Sequence, residues 1–264
     1  MTINMKIATW NVNSVRQRLE ILRGWLKEHS PDVLCLQEIK CEDQAFPREL
    51  FEEFGYNIET FGQKTFNGVA LLSKTPIEDV RRGLPGMEND PLSRYIEGVV
   101  TTKKGVVRVA SVYAPNGNPL GTEKFSYKLE WLKKFHAHAN ALLKFEEPLV
   151  LTGDFNIIPE NIDAKNPVAW VNDALFQPES RSAYRALVNS GFVEAFRALT
   201  PGAGHYTFWD YQAGAWQKDN GIRIDFAFLS PQAADRLHSC VIDKAPRAQE
   251  KPSDHVPVIV DLNL

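Results

Sequence analysis

The sequence predicts an α/β fold of mixed α+β character, in which two packed mixed sheets carry helices on both outer faces. Three observations lead there. Short apolar runs with strand composition end in turn or charged residues; amphipathic segments of helical period are interleaved with them; and several runs are joined by turns too short for a crossover helix. Short turns force antiparallel neighbours, whereas interleaved helices allow parallel ones, so the sheets are expected to be mixed.

The elements follow in order. Residues 6–10 (KIATW) form a short apolar strand, and Ser14 with Gln17 has the spacing of a capping box before a helix whose Val15, Leu19, Leu22 and Leu26 share one face. Ser30-Pro31-Asp32 stops that helix. The continuous run Val33-Leu34-Cys35-Leu36 reads as a buried strand, and residues 68–72, 98–101 and 106–112 as further strands, with Lys103-Lys104-Gly105 as a hairpin turn. A Pro/Gly/Asn-rich loop at 113–121 leads to a helix at 124–143 and a buried strand at 149–151. Residues 161–178 look irregular, and Ser180 is placed to cap a helix over 180–189. Strands at 225–229 and 256–262 close the chain. With 264 residues, 44% of them hydrophobic and 24% charged, and with no linker or repeat, residues 1–264 are expected to form one domain.

Composition excludes several classes. Three cysteines without C-x-x-C spacing indicate neither a disulfide framework nor a zinc site, and read as reduced thiols of a cytoplasmic protein. The N-terminal MTINMKIATWN lacks the long apolar run of a signal peptide, and no stretch is long and apolar enough for a membrane span. A formal net charge of -3 and a pI near 6.1 argue against bulk electrostatic coating of nucleic acid. They leave room for a local basic rim, for which Lys40, Arg81, Arg82, Arg94, Lys124, Lys128, Lys165, Arg181, Lys218, Arg223, Arg247 and Lys251 all lie in or beside expected loops.

Chemistry appears where polar residues interrupt apolar strands. Asn11 follows KIATW, Glu38 follows VLCLQ, and Asp154 and Asn156 follow LVLTG, the strand ends at which α/β sheets hold their ligands. Asp225 and the Asp254-His255 pair precede strands, and reach the same rim if those strands run antiparallel. Four carboxylates, from Glu38, Asp154, Asp225 and Asp254, repel one another unless a cation or a proton relieves them, and hard oxygen donors point to Mg²⁺ or Mn²⁺. Taken singly, Asp154 is equally well a turn residue bonding its own backbone, Asp254 a cap, His255 a structural histidine, and Phe208 and Trp209 core.

The motifs W-N-V-N at 10–13, L-Q-E-I-K at 36–40, N-G-V-A-L-L-S-K at 67–74, Y-A-P-N at 113–116, G-D-F-N at 153–156, R-I-D at 223–225 and S-D-H-V-P-V at 253–258 resemble the exonuclease III family. This is the abasic (AP) endonuclease branch of the endonuclease/exonuclease/phosphatase superfamily. The resemblance runs from residue 7 to residue 260. It implies a four-layer α-β-β-α sandwich of deoxyribonuclease I type, and a DNA-repair nuclease that cuts 5′ to abasic sites and trims 3′ ends of duplex DNA as a monomer.

It also implies roles. Glu38 would be the principal metal ligand, with Asn11 and Asp254 beside it and Asp154, Asn156 and His255 completing the metal-contacting set for Mg²⁺, which Mn²⁺ can replace. Asp154 would align and deprotonate the attacking water or protonate the leaving group; Asn156 would orient that water or hold a phosphate oxygen. His255, held by Asp225, would donate to a non-bridging oxygen, and Tyr113 would face the scissile phosphate. Phe208, Ile222 and Ile224 would wall a pocket for the abasic sugar. The residues themselves add that Tyr206, Phe208, Trp209, Tyr211 and Trp216 interleave with the cations Lys218 and Arg223, a composition able to wedge into a duplex or line a sugar pocket. Lys40, Asn67, Asn116, Trp209 and Arg223 complete the expected DNA-contacting set. Two departures, Ile222 where some abasic-site enzymes carry Trp and Gly117-Asn118-Pro119 where some carry Arg, bring the chain closer to bacterial exonuclease III-like members. The competing readings are a superfamily phosphoesterase acting on RNA or a phosphorylated small molecule, and a DNA-binding protein without catalysis.

Overall fold

The structure, a computed structural model, describes residues 4–103 and 105–264. Its strands are β1 (Asn4–Asn11), β2 (Val33–Gln37), β3 (Asn57–Phe61), β4 (Val69–Ser73), β5 (Ile77–Arg82), β6 (Tyr95–Thr102), β7 (Gly105–Tyr113), β8 (Leu149–Asp154), β9 (Val193–Glu194), β10 (Asp225–Leu229), β11 (Leu237–Ile242) and β12 (Val258–Asn263). The α-helices are α1 (Leu19–His29), α2 (Arg48–Glu52), α3 (Glu123–Leu143), α4 (Pro178–Asn189), α5 (Ala195–Leu199) and α6 (Pro231–Ala234).

Two six-stranded sheets result, in the orders β11-β12-β1-β2-β4-β3 and β5-β6-β7-β8-β10-β9. Each is mixed. β1 runs parallel to β2, and β7 to β8, while β1–β12 and β8–β10 are antiparallel. The ends of β1, β2, β7 and β8 and the starts of β10 and β12 therefore share one edge of the sandwich.

The continuous apolar runs are explained by burial on both strand faces. In β2, Val33 and Cys35 join the core between the sheets, whereas Leu34 and Leu36 pack outward with Leu22, Trp25 and Leu26 of α1. In the second sheet Val150, Ala227 and Leu229 face inward, while Leu151, Phe226 and Phe228 meet Trp131 and Phe135 of α3 and Tyr184 of α4. Towards the shared edge the inward residues become polar. Thr9, Gln37 and Ser111 bond one another across the interface, Gln37 Nε2 donating to Ser111 Oγ at 2.9 Å. One further alternation along, Asn11, Tyr113 and Asp154 face the same gap.

Several sequence expectations are corrected. Ser14 caps nothing: at φ 91° its amide donates to the carbonyl of Glu38, and a 3-10 turn, Val15–Arg18, precedes α1. Ser180 is also not a cap, because α4 begins at Pro178 and the Ser180 hydroxyl donates to the Ala174 carbonyl at 2.7 Å. The stretch expected to be irregular at 161–178 contains two 3-10 turns, Asn161–Asp163 and Pro167–Trp170. Strands β3, β5, β9 and β11 were not expected. All four are edges, β3 and β11 of the first sheet, β5 and β9 of the second. Of the expected hairpin turn, Lys104 lies outside the described residues.

Candidate active site

At the shared edge a cavity of about 340 Å³ opens, lined by Glu38, Tyr113, Asn116, Asp154, Asn156, Trp170, Asp173, Leu175, Phe208, Asp210, Ile224, Asp254 and His255. Charged and amide side chains share this lining with the apolar Trp170, Leu175, Phe208 and Ile224.

Local backbone geometry delivers the polar residues of the lining. Gly153 sits at φ +149°, and a Cβ there would fall onto the Val112 carbonyl oxygen, so only glycine lets β8 run this close to β7 just before Asp154. Asn13, Glu38, Lys40, Asn67 and Asn156 all occupy left-handed backbone, with φ between 44° and 53°. Each such residue costs about 1 kcal/mol or more. The turns they form abut one another: Ile39 and Lys40 donate main-chain N–H groups to Gly68 and Asn67, and Val12 and Ser14 donate to Gln37 and Glu38.

Asp154 is buried, its Oδ1 accepting from the Asn156 amide at 2.9 Å and its Oδ2 from Asn11 Nδ2 at 3.0 Å. The turn bond considered for Asp154 from sequence is thus present, together with the contacts into the cavity. His255 Nδ1 meets Asp225 Oδ2 at 2.9 Å, and its Nε2 stands 3.7 Å from Asp154 Oδ2. Glu38 Oε1 accepts from Asn11 Nδ2 at 2.9 Å, and its Oε2 pairs with Lys40 Nζ at 2.8 Å. Asp254 Oδ1 accepts from Asn13 Nδ2 at 3.0 Å.

Burial and charge set the protonation states. Burial raises the Asp154 carboxyl well above the usual aspartate range, with Asp225 adding to the rise and His255 opposing it. Burial works against a charged His255, but Asp225 and Asp154 outweigh it, so the imidazole holds its proton far above the ordinary histidine range. Burial also works against the Glu38 carboxylate, and there Lys40 and Asn11 win, leaving it below the usual range. The Tyr113 phenol is held protonated, by burial first and then by Glu38 and Asp154. The Arg94 guanidinium lies 4.9 Å from the centre of the Tyr113 ring.

One ligand atom each from Glu38, Asp154 and His255 lies within 4.8 Å of the others, a spacing that suits a divalent cation. Asn11 and Asn156 flank this group with amide nitrogens turned to the carboxylates; the Asn11 oxygen accepts from the Asn13 amide and the Asn156 oxygen from Asn116 Nδ2. Asp225 is absent from the cavity lining and reaches it through His255.

The structure divides the residues expected to contact DNA. Phe208, Ile224 and Asn116 line the cavity, and Lys40 is half-buried beside Glu38. Asn67 supports Lys40 through its carbonyl, with its side chain bonded to Gln63. Trp209, Ile222 and Arg223 do not reach the surface and are corrected. Trp209 packs with Tyr206, Ala215 and Val256; Ile222 packs with Ile158 and Ala164 behind the wall; Arg223, 1% exposed, pairs with Asp163 and Glu194. Two members of the expected basic rim are likewise buried, Lys128 and Arg247.

Sequence reasoning missed Trp170, Leu175, Asp173 and Asp210 of the lining. The first three come from the stretch read as irregular, and Asp210 stands beside the aromatics read as DNA-facing, so no strand-end pattern marks any of them. Among the described residues no helix is long and apolar enough to cross a membrane.

Comparison with known proteins agrees with this geometry. Residues 8–255 match the endonuclease/exonuclease/phosphatase family. The chain is 35% identical to exodeoxyribonuclease III of Haemophilus influenzae, over 96% of this chain and 98% of that protein, and 34% identical to the DNA repair nuclease APEX1 of Danio rerio, over 98% and 82%. Among solved structures, an AP endonuclease from Archaeoglobus fulgidus superposes with a TM-score of 0.93 at 38% identity, covering 98% of this chain and 100% of that one. A 3′ phosphatase, NExo, from Neisseria, bound to a product DNA hairpin, superposes with a TM-score of 0.94 at 36% identity and the same coverage. Fold, cavity and full-length identity together place the chain in the endonuclease/exonuclease/phosphatase family, in the branch that holds exodeoxyribonuclease III and the AP endonucleases.

Proposed function

We propose that this protein is a phosphodiester hydrolase of DNA repair that incises duplex DNA 5′ to abasic sites and removes nucleotides or blocking groups from 3′ ends. The observation that carries the reading is the cavity itself. Glu38, Asp154, Asn156 and His255 share its lining with Trp170, Leu175, Phe208 and Ile224, a mixture suited to a phosphate beside a base-free sugar. The full-length relatives named above act in the same chemistry.

Hydrolysis needs an aligned water, relief of charge on the phosphate and a stabilised leaving oxygen. Asp154 takes the proton of the attacking water. The charge of His255, sustained by Asp225 at 2.9 Å, lets Nε2 donate to a non-bridging phosphate oxygen. Tyr113, kept protonated beside Glu38 and Asp154, donates to the phosphate, and Asn156 orients the water. Glu38, with Asp154 beside it, would hold Mg²⁺, replaceable by Mn²⁺, while the protonated His255 stands next to the ion as a donor and not as a ligand. Such a cation would neutralise charge on the phosphate and on the leaving 3′ oxygen. Lys40 and Asn116 meet the DNA backbone beside the cut.

End-labelled substrates test this directly. An abasic duplex should be incised on the 5′ side of the lesion and a blunt duplex shortened from its 3′ ends, with a single strand and an RNA hybrid cut more slowly. Chelation with EDTA should stop the reaction and added Mg²⁺ restore it. Intact DNA alongside a hydrolysed RNA or small phosphoester would overturn the substrate, and full activity after exhaustive chelation would remove the metal.

A further inference from the structure

Lys128 lies in the second turn of α3 and is fully buried, yet no carboxylate stands within salt-bridge distance among the described residues. Its Nζ donates to two main-chain carbonyls, that of Asn116 at 2.9 Å and that of Asn156 at 2.5 Å. These carbonyls belong to the loops after β7 and β8, whose side chains line the cavity. The same asparagines are joined a second time, Asn116 Nδ2 donating to Asn156 Oδ1 at 3.2 Å, and Asn156 Nδ2 donating to the Ala114 carbonyl at 2.9 Å. Space for the lysine is built in. A Cβ on Gly117 would come within 2.6 Å of Lys128 Cδ, and the glycine stands at φ +90°.

We propose that Lys128 is a positioning residue for phosphodiester cleavage: by tying the Asn116 and Asn156 carbonyls together beneath the cavity, it aims both side-chain amides at the scissile phosphate and the attacking water. Carbonyls turned into a closed interior need donors, and a left-handed Asn156, at φ 49°, turns its carbonyl away from its side chain. A buried cation without a counter-ion is a costly way to supply donors. Burial pulls this ammonium down to about 7, with Asp154 and Asp173 opposing the fall. The clamp needs two N–H groups, which the amine offers in either form, so it does not depend on that titration. The inference rests on the proposed nuclease function.

The test compares Lys128→Met, Lys128→Arg, Asn116→Ala and the Lys128→Met/Asn116→Ala pair under single turnover, with enzyme in excess over an abasic duplex. The rate constant is then insensitive to the fraction of molecules folded. Lys128→Met should slow cleavage by about ten- to a hundredfold with affinity for the duplex in EDTA nearly unchanged, as expected when reacting groups are held slightly out of place. Lys128→Arg should recover part of that loss, and the double variant should lose less than the product of the two single losses, because the share transmitted through Asn116 is gone while that through Asn156 remains. An unchanged rate in Lys128→Met, or losses that multiply in the double variant, would overturn the proposal. If Lys128→Met does not fold, the same cycle run with Lys128→Arg decides, non-multiplying losses supporting it and multiplying losses or an unchanged rate overturning it. Failure of the unsubstituted protein to cut DNA would instead defeat the nuclease reading.

Discussion

Arg223 and Asp225 stand two residues apart in one segment and belong to opposite kinds of buried charge cluster. Around Arg223 the charges balance: two guanidiniums, Arg223 and Arg197, face two carboxylates, Asp163 and Glu194, with Arg223 bonding one oxygen of each at 2.8 Å. Around Asp225 they do not. Glu38, Asp154, Asp225 and Asp254 meet one imidazole, His255, and one ammonium, Lys40. The balanced cluster satisfies itself and ties the 3-10 turn at Asp163 to β9 and β10. The unbalanced one carries surplus negative charge at the mouth of a cavity, which a divalent cation would neutralise. Burial of charge is common to both; surplus of one sign distinguishes a site from a strut.

The largest test of that contrast is Asp154→Asn. Removing one carboxylate from the crowded cluster should slow single-turnover cleavage of an abasic duplex by about a thousandfold or more, within the range for loss of a general base. Thermal stability should hold or rise, because a desolvated and repelled charge is gone. Cleavage within tenfold of the unsubstituted protein would take Asp154 out of the chemistry. Arg223→Met tests the other cluster. Stripping the guanidinium from Asp163 and Glu194 should cost about 3–5 kcal/mol of stability, read by urea melts. The single-turnover rate should stay within about threefold, since the guanidinium bonds Asp163 and Glu194 and none of the charged groups of the cavity. A slower rate with unchanged stability would return Arg223 to the DNA-facing set assigned from sequence.

That reversal over Arg223 shows what a sequence can and cannot convey. The charged side chains of the cavity were legible because charge at a strand end has no apolar explanation: Glu38 after VLCLQ and Asp154 after LVLTG are conspicuous, and the antiparallel return of β10 and β12 brings Asp225, Asp254 and His255 to the same edge. A cation beside aromatics is less informative, since Arg223 is explained only by Asp163 and Glu194, far away in sequence. Lys128 was read into the basic rim for the same reason, its partners being main-chain carbonyls that no residue type reveals. The β5 strand, IEDVRR, escaped because an edge strand needs little apolar surface, and Ser14 misled because its main chain bonds the neighbouring Glu38 turn, not a helix.

The smallest effect concerns pH, and it bears on why Asp225 belongs with the site. Asp225 is the first carboxylate in raising His255, and it also helps to raise Asp154. Asp225→Asn should therefore lower both groups. The imidazolium, which a phosphate oxygen needs as a donor, should then be lost at lower pH, moving the alkaline limb of the rate profile towards neutrality. The acid limb, set by the Asp154 proton, should move down as well. Rates on either limb change by about tenfold per pH unit at most, so the variant should approach ordinary activity between the limbs apart from the looser hold on the ring. Stability follows the same sign: a histidine raised in the folded state contributes fully below its unfolded value, and that contribution fades as pH rises through the folded value. Urea melts of Asp225→Asn should show this fall ending at lower pH, and being smaller in total, than in the unsubstituted protein. Limbs that stay in place in Asp225→Asn would mean that the histidine owes its proton to Asp154 alone, leaving Asp225 only to hold the ring.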